Sequence, residues 1–147
     1  MEKAMSHALD YTVVTNKSFA DAVRAVEQKA VENGFRVLHV HDFAAMLGEK
    51  GFAREPLTIV EICNARYASE VLKKDVRTAL LLPCPVAVFV ENGKTCISTM
   101  LPSTMADFFP EKGIAEVAFA VEETVRKIVD EAKAEPHELV SRAQPAP

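Results

Sequence analysis

Asn92-Gly93 stands between two alternating apolar runs, "VAVFVE" and "KTCISTM". A two-residue connection between right-twisted strands needs positive φ at its central positions, and Asn-Gly adopts that turn most readily. The chain is thereby committed to an antiparallel hairpin. Downstream, a helix from near Gly113 to about Ala134 places Ile114, Val117, Ala118, Val121, Val125, Ile128, Val129 and Ala132 on one face. That stripe keeps a 3.6-residue period over about five turns. Such a helix must lie across an apolar sheet or a partner.

The remaining elements follow from the same periodicities. "DYTVVT" reads as a first strand, and Ser18 then opens a helix with Phe19, Val23, Val26 and Ala30 in one stripe, closed at Asn33-Gly34. "FRVLHVHDF" is the second strand, after which Asp42 caps a short turn in "FAAMLGEKG" that Gly48 and Gly51 restrict to a loop-like excursion. The third strand is "LTIVEIC", left at Asn64, which caps the helix "ARYASEVLKKD". "TALLL" comes next, before Pro83-Cys84-Pro85 and the hairpin, so the count is five to six strands. The expected class is α+β, a mostly antiparallel sheet with helices stacked on one face. The other face is too apolar for open solvent and calls for a cover such as a twin subunit.

At 147 residues, this is one domain's worth of chain. The reading divides it into a leader at 1–9, an α+β domain at 10–134 and a tail at 135–147 that carries three prolines. Hydrophobic residues make up 49% and charged residues 26%, and no apolar run approaches a membrane span. The N-terminus lacks the apolar block and cleavage site of a secretory signal, so the expected location is the cytoplasm. A net charge of -4 and a pI near 5.6 speak against a nucleic-acid surface, which needs clustered Lys and Arg.

Several segments in series carry a family resemblance: "GFRVLHVHDF", "LGEKGF", "EICNARYASEVL" and "LLLPCPVAVFVENGKTCISTMLP". In this order and spacing, over roughly residues 10 to 132, the chain resembles the domain of unknown function 302 family. The resemblance implies a fold like that of the TATA-box-binding protein, of β-α-β(4)-α type. Its sheet would be curved and antiparallel, with a long C-terminal helix across it, usually in a homodimer. It implies neither DNA binding nor any settled activity, because fold does not carry function. Two positions depart from the family pattern. Pro85 follows Cys84 where a basic residue is expected, and Ala65 follows Asn64 where proline is expected. Any anionic ligand held by that basic residue in relatives would lose it here.

The candidate sites are few. His39 and His41 lie two residues apart, so on a strand they share a face at about 7 Å between Cα atoms. Neutral imidazoles so placed suit zinc, copper, nickel or haem iron. Glu61 and Cys63 share a face of the third strand, and the resemblance implies a fold that would set them beside the histidines as a mixed shell. The alternative is an ordinary strand, with one histidine tied to a carbonyl or to Asp42 and the other facing a dimer seam or solvent. Histidine here interrupts what the pattern presents as a buried apolar face.

Cys63, Cys84 and Cys96 are spaced 21 and 12 residues apart, matching neither a CxxC knuckle nor a disulfide framework. Cys63 precedes a helix cap, where the macrodipole favours a thiolate, and Cys84 is held between prolines. Both are candidate reactive thiols, but with no CxxC and no histidine base adjacent in sequence the inert, packed reading takes precedence for each. Cys96 reads as structural, and Met100 and Met105 as core fillers. There is no GxGxxG, P-loop, GxSxG or HExxH, and no catalytic constellation. Three functions remain: a homodimeric binder of a transition metal or haem-type cofactor, a thiol redox or sulfur-carrier protein, and a non-catalytic dimeric interaction module.

Overall fold

The alternation in "LTIVEIC" has a direct outcome in the computed structural model, which describes residues 8–135. Along β3 (Leu57–Cys63), Thr58, Val60 and Ile62 are buried while Leu57, Ile59, Glu61 and Cys63 are half-buried. Successive strand side chains point to opposite faces, so one face of the sheet is roofed and the other is not. The leader and the tail fall almost entirely outside the described residues.

Four further strands, β1 (Asp10–Thr15), β2 (Arg36–Asp42), β4 (Cys84–Glu91) and β5 (Lys94–Met100), complete an antiparallel sheet in the spatial order β1-β5-β4-β3-β2. The β4–β5 turn has φ of 53° at Asn92 and 74° at Gly93, the left-handed pair that the sequence dictates. Among the described residues the strand count is five, because "TALL" lies in a 3-10 helix, Val76–Leu81, with Leu82 at its end. Its first turn is locked at Asp75, whose carboxylate accepts from the Arg77 amide at 2.9 Å and whose carbonyl accepts from the Thr78 hydroxyl at 2.8 Å. Local side-chain bonds of this kind compete successfully with strand pairing.

Two helices form the roof. In α1 (Phe19–Glu32), the Ser18 hydroxyl accepts from the Asp21 amide, and Gly34, at φ 83°, turns the chain away past Asn33. Ala22, Val26 and Ala30 of α1 and Val125, Ile128 and Val129 of α5 (Lys112–Lys133) meet Val60, Ile62, Val86, Val88 and Ile97 of the sheet in one core. Alanines on α1 let its backbone approach the strands closely. Polar ties fasten α5 at its end: the Tyr11 hydroxyl donates to Asp130 Oδ1 at 2.6 Å, and Arg126 lies 4.8 Å over the Tyr11 ring. That hydrogen bond to Asp130, with burial, raises the Tyr11 phenol above its usual range. Thr15 and Lys17 donate to the Lys133 and Ala132 carbonyls, which the helix end leaves without internal partners.

The segment after Asp42 is more regular than the glycines imply. It forms α2 (Phe43–Glu49), started by the Asp42 carboxylate accepting from the Ala45 amide at 2.9 Å, and Gly48 sits inside it. A glycine in a helix costs only about 1 kcal/mol against alanine, so Gly48 alone does not break the turn that the Asp42 cap starts. After β3, the Asn64 side chain accepts from the Tyr67 amide to start α3 (Ala65–Lys74) and donates to the Gly34 carbonyl. A second cluster, Val71, Met105, Ile114 and Ala118, joins α3, α4 (Met105–Phe108) and the start of α5 beyond the sheet end. Among the described residues, no helix is long and apolar enough to cross a membrane.

Replacing Ile128 by alanine should lower unfolding stability by about 2–5 kcal/mol, because the cavity lies between helix and sheet. Leu80→Ala, at a side chain 83% exposed, should stay within about 0.5 kcal/mol. Urea denaturation of both variants checks the pair.

Candidate functional site

β2 is an edge strand, and its register carries the decisive irregularity. Val37 pairs with Ile62, and the next pair is His39 with Glu61, leaving Leu38 as an extra residue in a bulge. Regular alternation from Val37 would send His39 and His41 to the core side. The bulge inverts the phase, so that Val37 and Val40 both pack on the core. His39 and His41 therefore share a face, as their spacing requires, but it is the unroofed one. The expectation of histidines interrupting a buried apolar face is corrected accordingly: His39 is exposed, and His41 and Glu61 keep 37% and 30% of their side-chain surface open.

There the two imidazoles lie with ring centroids 4.4 Å apart, tilted by 51°. His41 Nε2 donates to Glu61 Oε1, and the Phe43 ring stands edge-on to His41 at 6.1 Å. Glu61 joins the pair because antiparallel pairing sets it directly opposite His39 and diagonal to His41. Cys63 does not join: its cross-strand partner is Arg36, at the far side of the bulge. Among the described residues, no three His, Cys, Asp or Glu side chains group closely enough to hold a metal ion.

The cysteines divide differently from their sequence spacing. Cys63 and Cys84 line one small apolar cavity of about 40 Å³ at the α3 end of the sheet, together with Tyr67, Val71, Met100 and Met105. Burial pushes the Cys84 thiol up to about 11, with the neighbouring Cys63 adding to the rise, and burial raises Cys63 as well. The helix start beside Cys63 is expected to favour its thiolate, whereas burial, which disfavours the charged form, raises this thiol. Cys96, on β5 opposite Phe89, is buried. No sequence signal announced the shared cavity, since 21 residues and a helix separate its two thiols.

Comparison with known proteins now adds a lineage. The family model described as "Domain of unknown function DUF302" matches residues 11–132. The chain belongs to the DUF302 family. A solved structure, that of an uncharacterised conserved DUF302 protein from Bacillus stearothermophilus, matches with a TM-score of 0.81 at 27% identity, covering 86% of this chain and 99% of that one. No curated protein matches. The DUF302 membership accounts for the antiparallel sheet and the long closing helix. In this member, Pro85 lines the cavity and Ala65 is the first residue of α3.

At neutral pH, an alkylating reagent should modify Cys84 and Cys63 slowly in the folded protein and rapidly after denaturation. The folded-state rate at Cys84 should keep rising toward pH 11, since only the thiolate reacts. Mass spectrometry of peptides from a pH series gives the result; fast labelling of either residue at pH 7 would restore the reactive-thiol reading.

Proposed function

We propose that this DUF302 protein is a homodimeric binder of a transition-metal ion, free or carried in a haem-type group, with His39 and His41 as ligands. The observation that carries the reading is the His41–Glu61 hydrogen bond beside the His39 ring on the unroofed face. Metal-ligating histidines characteristically give their second ring N–H to a carboxylate, which fixes the tautomer and strengthens the remaining nitrogen as a donor. With Nε2 engaged, His41 offers Nδ1, and His39 makes no hydrogen bond among the described residues that would compete for its ring nitrogens.

Two imidazoles are an incomplete shell. A second copy would supply the rest, and the same face favours self-association: Val14, Leu57, Ile59, Ala87 and Phe89 lie exposed or half-buried on it. The role of such a site is binding, storage or chemistry of the bound group, with the sheet as a rigid platform. No side chain of the chain acts as nucleophile or general base in this reading.

The test is metal analysis and a visible spectrum of chelator-free protein, before and after incubation with hemin, alongside sedimentation equilibrium. Stoichiometric divalent metal or a Soret band should vanish in His39→Ala and His41→Ala without loss of fold, and Glu61→Gln should weaken binding about 10–100-fold. Full occupancy in both single variants would remove the histidines as ligands, and a colourless dimer that takes up neither metal nor hemin would leave the interaction-module reading in their place.

A further inference from the structure

The cavity between the sheet end and α3 gathers sulfur. Of three cysteines and five methionines in the chain, Cys63, Cys84, Met100 and Met105 line this one space of about 40 Å³. All four stand at element boundaries: Cys63 ends β3, Cys84 begins β4, Met100 ends β5 and Met105 begins α4. The sheet register brings three of these boundaries to one edge, since Ile62 pairs with Cys84 and Thr99 with Val86. Thioethers and thiols also fill irregular core gaps, but here four of them surround a single opening.

We propose that this cavity is a site for a soft monovalent metal ion, copper(I), held by the Cys63 and Cys84 sulfurs with thioether support from Met105 and Met100. The site is distinct from the histidine pair and goes beyond the function proposed for it. Soft thiolate and thioether donors select copper(I), whereas carboxylates and water favour hard divalent ions. Asn64 and Tyr67 are the polar residues of the lining, and no carboxylate belongs to it. A space of about 40 Å³ leaves room for an ion. On binding, each coordinating thiol releases its proton to solvent and forms a copper–sulfur bond, with no change in oxidation state.

The experiment uses the full-length reduced protein, titrated anaerobically with copper(I) against a chromogenic copper(I) chelator, followed by X-ray absorption at the copper edge. One copper per chain with sulfur neighbours alone is the expected result. Cys63→Ser and Cys84→Ser should each weaken binding about 100-fold, and the volume-conserving Met105→Leu about 10-fold. His39→Ala should leave copper(I) binding unchanged, which separates this site from the histidine reading. If a serine variant fails to fold, the wild-type absorption spectrum and Met105→Leu decide. Failure to hold copper(I) against the chelator, nitrogen neighbours in the spectrum, or loss of binding in His39→Ala would each overturn the proposal.

Discussion

The seam where Val60, Ile62, Val86, Val88 and Ile97 press against α1 and α5 governs the rest of the molecule. It is one-sided, because both long helices pack on the same face and the strands alternate beneath them. Each buried valine or isoleucine contributes roughly 1.5–3 kcal/mol of transfer free energy, so the register that keeps all of them inward is strongly specified. Every residue on the opposite face takes its position from that constraint. The polar ties of Tyr11, Thr15 and Lys17 to the last turn of α5 then fix where the long helix ends over β1.

The edge strand β2 feels the same constraint and meets it with a bulge. Val37 and Val40 are three residues apart, a spacing that no regular strand can turn to one face. An extra residue at Leu38 resolves the conflict and carries His39 and His41 outward to Glu61. The packing demand of two valines thus decides the surroundings of two histidines. Bulges at sheet edges commonly re-aim side chains in this way.

The cavity has a different origin. Where the strands end, the main core gives way to the second cluster around Val71, Met105, Ile114 and Ala118. The two clusters meet at the ends of β3, β4 and β5, and the sulfur-bearing side chains fall at that junction. Burial there keeps both thiols protonated at neutral pH, which separates them from the exposed imidazoles in chemistry as well as in place.

Local chemistry made much of the fold legible. The Ser18, Asp42 and Asn64 caps, the Asn92-Gly93 turn, the bounds of β3 and the stripe of α5 all depend on residues close in sequence, and each stands where the pattern put it. The histidines' shared face was equally legible, since period-two spacing survives from His39 to His41. Tertiary structure alone decided the rest. Which face they share depended on a bulge set by long-range burial, and the company of Glu61, the separation of Cys63 from the histidines and its meeting with Cys84 all depended on strand register. Register is a property of the packed sheet, in which a single extra residue reverses every side chain beyond it, and no short-range pattern records that residue.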